Sequence, residues 1–79
     1  MAEINIGPRL VAWRTLRGLS QEKIGEVAGM SKQLISYVEN GTRDITVQKL
    51  NRICTKALKT DLVTFLGPIP DPIHGSRAA

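Results

Sequence analysis

The sequence predicts an all-α fold, a compact bundle of five short helices. Three features carry that prediction. Helix-capping residues recur along the chain, apolar residues follow them at three- and four-residue spacing, and glycines close the first three runs. At 79 residues the chain holds one small domain, near the lower limit for a core that folds alone.

Gly7-Pro8 opens the first helix, because a first turn tolerates proline's missing N–H. Leu10, Trp13 and Arg14 share one face, with Trp13 read as core, and Arg17-Gly18 ends the run. Ala12 and Leu16 point away from that face. Ser20 caps a second helix with Glu22 in its first turn, where the macrodipole favours negative charge. Its inward stripe is Ile24, Val27 and Ala28, and Gly29 breaks it. Ser31 caps a third helix that turns Ile35 and Val38 inward and stops at Asn40-Gly41, a pair suited to left-handed backbone. Thr46 caps a fourth, with Val47, Leu50, Ile53, Cys54, Ala57 and Leu58 on its apolar face. Lys49, Arg52 and Lys56 line the other side, as the solvated face of an amphipathic helix does. Asp61 caps a fifth helix burying Leu62, Phe65 and Leu66, although the alternation in LVTFL also permits a short strand. The division is thus a folded domain over residues 1–66 and a Pro-rich, disordered tail over residues 67–79.

Eleven Lys and Arg against seven Asp and Glu leave a net charge of +4, which suits a polyanionic partner. One cysteine excludes an internal disulfide, and the apolar runs are too short to span a membrane. MAEINIG lacks the basic and apolar segments of a secretory signal, so the expected compartment is the cytoplasm.

Two helices of about nine residues joined by a glycine-containing turn outline a helix-turn-helix. Gly25 lies where the third helix must approach the second, Gly29 turns the chain, and Met30 plugs the corner. At this point the chain resembles a known family. LSQEKIGEVAGMSKQLISYVENG, with Arg14 upstream and TVQKLNRICTKAL downstream, is similar to the Xre family of helix-turn-helix regulators, the phage repressor and Cro type. The likeness covers roughly residues 6 to 66. It implies a lambda repressor-like, five-helix DNA-binding domain that binds a palindromic operator on double-stranded DNA as a homodimer. The family usually has alanine in place of Gly25, a permissive change, and glycine in place of Lys59, at the end of helix four.

With Ile35 and Val38 inward, Gln33, Ser36, Tyr37 and Asn40 project outward. A glutamine amide both donates and accepts, which matches an adenine edge in the major groove, so Gln33 is the first candidate for base readout. The first positions of a recognition helix point deepest into the groove. The resemblance accordingly assigns base contacts to Ser31, Lys32, Gln33 and Ser36; Tyr37 can touch a thymine methyl or a phosphate. Gln21, at a helix N-terminus, is placed for a backbone phosphate. Asn40, Thr42 and Arg43 are placed for the next phosphates, Arg43 foremost because its charge releases a counterion. Arg14 and Glu39 fall near inward faces, an expensive place for unpaired charge, and the family joins them in an ion pair. Dimer contact is assigned to Leu62, Phe65 and Leu66.

An enzymatic reading lacks its chemistry. Cys54 sits on an apolar face, the one histidine is His74 in the tail, and no metal-ligand spacing occurs, so no cofactor or metal is expected. The alternative to a repressor or controller is the antitoxin of a toxin–antitoxin pair. Such a protein binds a toxin or other protein partner, and the tail could order on it. A nucleoid-associated bacterial protein and a phage-encoded one fit the sequence equally.

Overall fold

Side-chain caps set the starts of four helices. Ser20 Oγ accepts from the Lys23 amide at 2.9 Å and Ser31 Oγ from the Leu34 amide at 3.0 Å. Thr46 Oγ1 accepts from Lys49 at 3.2 Å, and Asp61 Oδ1 from Thr64 at 2.9 Å. Each satisfies an amide that the first turn would leave without a partner. Hydrogen bonds from the Thr64 side chain and backbone also hold the Asp61 carboxyl below its ordinary value. That cap makes LVTFL a helix, not a strand.

The computed structural model describes residues 6–69. Among these, α1 is Ile6–Arg17, α2 Gln21–Ala28, α3 Lys32–Glu39, α4 Val47–Arg52 and α5 Leu62–Leu66, with no strand. The α4 run does not stay α-helical to Leu58 as its periodicity predicts. From Ile53 to Ala57 it widens into a π turn, closed by the Leu58 amide on Ile53 O at 3.0 Å. Thr55 Oγ1 donates back to Asn51 O at 3.0 Å, a bond that competes for a carbonyl of the helical ladder. Lys59 then takes φ 57, and the Thr60 amide reaches back to Cys54 O at 2.9 Å. A lysine thus stands in the left-handed position that closes a helix and that glycine adopts without strain.

The core joins Leu10 and Trp13 of α1, Ile24 and Ala28 of α2, Ile35 and Val38 of α3, Leu50, Ile53, Cys54, Ala57 and Leu58 of α4 and its extension, and Phe65 of α5. Two residues assigned inward are not. Val27 is 38% exposed. The buried face of α2 runs through Ile24, Gly25 and Ala28, and at about 100° per residue Val27 lies well round from its centre. Val47 is 69% exposed, since it precedes by a full turn the first residue α4 buries, Leu50. The π turn, not α4 proper, makes the main contact with α2 and α5.

The fifth helix turns the residues expected at a dimer surface in different directions. Phe65 is wholly buried in the chain's own core and has no area to offer a second copy, because α5 is short and turns its one large ring inward. Leu62 and Leu66 are half-buried beside it, and Val63, 80% exposed, occupies the outer face. Arg9 Nε donates to Gly67 O at 3.2 Å, tying the end of α5 to α1. Arg17 stacks over the Trp13 ring, 5.2 Å from its centroid, while its Nε donates to Leu58 O at 2.7 Å. Of the expected tail, residues 70–79 with His74 lie outside the described residues, as do residues 1–5 of the expected domain.

Candidate nucleic-acid interface

Two close backbone approaches set the angle at which α3 is presented. At Gly25 a Cβ would lie 2.4 Å from Met30 O, so the side chain's absence is required by this packing and is more than permissive. Gly29 adopts φ 75, the Met30 amide closes onto Gly25 O at 2.7 Å, and Met30 packs half-buried against the core. At the other end of α3 a Cβ on Gly7 would lie 2.4 Å from Glu39 O and 2.9 Å from Val38 O. Local sequence gave Gly7 only a role in opening α1. Its contact with α3 spans about thirty residues of chain and has no local signature.

A polar cluster joins the same three helices. Arg14 Nε donates to Glu39 Oε2 at 2.7 Å and Arg14 Nη2 to Glu39 Oε1 at 3.1 Å, a two-pronged pair between α1 and the end of α3. The Glu39 side chain is only 5% exposed and that of Arg14 21%. Arg14 Nη1 also donates to Leu19 O at 3.1 Å. Gln21 Nε2, at the start of α2, donates to Glu39 Oε1 at 2.8 Å. Gln21 is therefore a member of the ion-pair cluster as well as the first residue of α2, a link that sequence reasoning missed. The carboxylate holds one group from α1 and one from α2 against α3.

The outward face of α3 is polar throughout. Ser31, Lys32 and Gln33 are exposed at its start, and Ser36 and Tyr37 are half-buried one turn on. Ile35, at 0%, and Val38, at 2%, hold the opposite side in the core. Ser31 Oγ is engaged in capping, which leaves its hydroxyl hydrogen for an outside acceptor. Gln33 Nε2 donates to Tyr37 Oη at 2.8 Å, so these two side chains are not independent.

Beyond α3 the turn is built from its own side chains. Asn40 Oδ1 accepts from the Thr42 amide at 3.0 Å and from the Thr42 hydroxyl. The Tyr37 carbonyl accepts from the amides of Thr42 and Arg43 at 2.9 and 3.2 Å. Asn40 and Thr42 thus shape the loop, and the exposed Arg43 rises from it. Lys32 and Arg43 make no ion pair with a described residue, so their charge is turned to solvent. In contrast, Lys23 on α2 meets Glu26 at 3.0 Å.

The one cysteine, Cys54, lies in the core and away from this face. Burial, with Asp61 nearby, pushes the Cys54 thiol up to about 11, so it stays protonated at neutral pH. Among the described residues no group of three His, Cys, Asp or Glu could hold a metal ion, and no helix is long and apolar enough to cross a membrane.

The profile of a family described as helix-turn-helix matches residues 10–63, more than half of the chain. The chain belongs to the Xre-like helix-turn-helix family. This is a family of DNA-binding regulators. Two HTH-type transcriptional regulators, from Sinorhizobium medicae (strain WSM419) and Rhizobium meliloti (strain 1021), are each 39% identical over 51 residues, or 65% of this chain. The match spans only 37% of either relative's length. Among solved structures, the clp gene regulator ClgR from Corynebacterium glutamicum superposes with a TM-score of 0.74 at 22% identity, covering 80% of each chain. The wild-type restriction-modification controller protein C.Esp1396I gives 0.64 at 21% identity, over 81% of this chain and 87% of its own. The helix-turn-helix chain therefore has the lambda repressor-like fold, with α2 and α3 as its two-helix unit.

Proposed function

We propose that this chain is a sequence-specific transcriptional regulator, a repressor or controller, that binds a palindromic operator as a homodimer. The observation that carries the reading is the division of α3: Ile35 and Val38 are sealed in the core, and Ser31, Lys32, Gln33, Ser36 and Tyr37 form one continuous polar face beside an uncompensated Arg43. The major groove admits one α-helix, and there Gln33 reads an adenine and Lys32 a guanine edge or a phosphate. Arg43 is the foremost proposed phosphate contact, joined by Gln21, Asn40 and Thr42 on either side of α3, Thr42 once its hydroxyl leaves Asn40. The Arg14–Glu39–Gln21 cluster supports the same reading, since it holds the start of α2 and the end of α3 to one carboxylate and makes the two grips move as a unit.

One reading helix of eight residues covers few base pairs, and a two-fold repeat supplies the missing specificity. The second copy docks along α5, with Val63 at the centre and Leu62 and Leu66 at its flanks. The relatives and structural neighbours carry the names transcriptional regulator, gene regulator and controller, in keeping with this function. Such a protein works in the cytoplasm, on the nucleoid or on phage DNA.

Selection of bound sequences from a random double-stranded pool tests the proposal. The expected result is an enriched palindrome whose half-sites lie about one helical turn apart, retained by two copies of the chain. Failure to enrich any sequence, or enrichment of an asymmetric site held by one copy, would overturn it.

A further inference from the structure

We infer that Tyr37 is a positioning residue for base readout: its hydroxyl holds the Gln33 carboxamide in one place on the outward face of α3 and so sharpens recognition at one base pair. The inference rests on the proposed DNA-binding reading and deepens it.

Gln33 and Tyr37 are four residues apart on α3, one above the other on its outward face, and Gln33 Nε2 donates to Tyr37 Oη at 2.8 Å. The two differ in freedom. Gln33 is exposed, on a long stem with many rotamers, whereas Tyr37 is half-buried and has a rigid ring. The Tyr37 backbone is also anchored, because its carbonyl accepts both amides at the start of the following loop. Tyr37 is therefore the fixed partner and Gln33 the one being held.

The chemistry of the carboxamide leaves the held group fit to read a base. Its nitrogen carries two hydrogens. When the hydrogen pointing away from Oε1 goes to Tyr37, the other hydrogen and Oε1 remain side by side. That pair donates to N7 and accepts from N6 of adenine, the two-pronged match that a guanine, with two acceptors there, cannot complete. A flipped amide would turn Oε1 towards Tyr37, whose hydroxyl can donate as well as accept, so the hydroxyl fixes where the carboxamide sits and the base decides which way round it binds. The Tyr37 hydroxyl hydrogen remains to donate elsewhere. An amide held before binding also loses less freedom on the DNA.

The test is Tyr37→Phe, which keeps the ring and both backbone bonds and removes only the hydroxyl. The full chain and the variant are compared on the operator selected by the wild type and on single-base-pair variants of it, at several salt concentrations. The expected result is a loss of preference of about three- to ten-fold at the base pair that Gln33→Ala also relaxes. Other positions, binding to random DNA and the salt slope should be unchanged, and Tyr37→Phe should add nothing in a Gln33→Ala background. Binding weakened equally on the operator, its variants and random DNA would instead make Tyr37 a phosphate ligand and overturn the inference. Lost preference at a different base pair would make it a direct reader, and unchanged preference everywhere would show that the hydroxyl does no positioning; either overturns it. If the wild type selects no sequence at all, the DNA-binding reading fails together with the inference, an outcome distinct from a selective wild type with an indifferent variant.

Discussion

Replacing Glu39 by alanine tests whether one carboxylate holds the two-helix unit to α1. Three hydrogen bonds converge on it, from Arg14 Nε at 2.7 Å, Arg14 Nη2 at 3.1 Å and Gln21 Nε2 at 2.8 Å. Breaking a buried ion pair from one side costs about 3–5 kcal/mol, because the remaining charge is left desolvated. The Arg14 side chain is 21% exposed and keeps Leu19 O as an acceptor, so water and that carbonyl recover part of the loss. The expected cost is therefore at the low end, about 3 kcal/mol, or a fall in Tm of roughly 12–24 °C for a domain of this size. Urea unfolding followed by far-UV circular dichroism and by fluorescence of the buried Trp13 measures it. A double replacement, Arg14→Met with Glu39→Leu, should be clearly less damaging than the sum of its parts, since it leaves no stranded charge. A cost below about 1 kcal/mol for Glu39→Ala, typical of an exposed pair, would refute the reasoning, and so would strict additivity.

Four further outcomes follow from the geometry. Gly7→Ala puts a Cβ against two carbonyls of α3 and should destabilise by about 1–3 kcal/mol despite alanine's helix preference; an unchanged urea midpoint would show that α1 shifts freely. Lys59→Gly relieves the left-handed residue and should raise stability by roughly 0.5–1 kcal/mol, net of glycine's greater unfolded-state freedom, as read from thermal unfolding. Arg43→Ala should weaken binding to specific and random DNA alike and make the salt dependence shallower by about one phosphate contact, measured by fluorescence anisotropy across a salt series. Cys54 has its folded pKa raised from 9.0 to about 11, so its contribution is fully present below about pH 9 and is lost as pH rises towards 11. Urea midpoints at pH 8 and 10.5 should fall further for the wild type than for Cys54→Ala.

The local half of this protein was legible in its residues. The hydroxyls of Ser20, Ser31 and Thr46 and the Asp61 carboxylate reach amides only three residues away, and the turn at Gly29 and the stripe of Ile35 and Val38 follow from spacing within one or two helical turns. The polar face of α3 is legible for the same reason, as the complement of that stripe. The family resemblance added the partners of Arg14 and Glu39, which no local pattern supplies.

What tertiary structure decided depends on which surfaces meet. Val27 and Val47 are apolar at helical spacing yet exposed, because burial depends on whether another helix lies opposite, not on the residue. Phe65 faces inward while Val63 faces out, a choice that a five-residue helix leaves open until α5 docks. Gly7 and Gly25 are required by carbonyls on other elements, and Gln21 meets a carboxylate 18 residues on. Short-range sterics and hydrogen bonding fix the start, stop and inward face of each helix. The angle at which α3 is offered to a groove depends on backbone contacts and one buried ion pair between helices distant in sequence, and these form only when the chain packs.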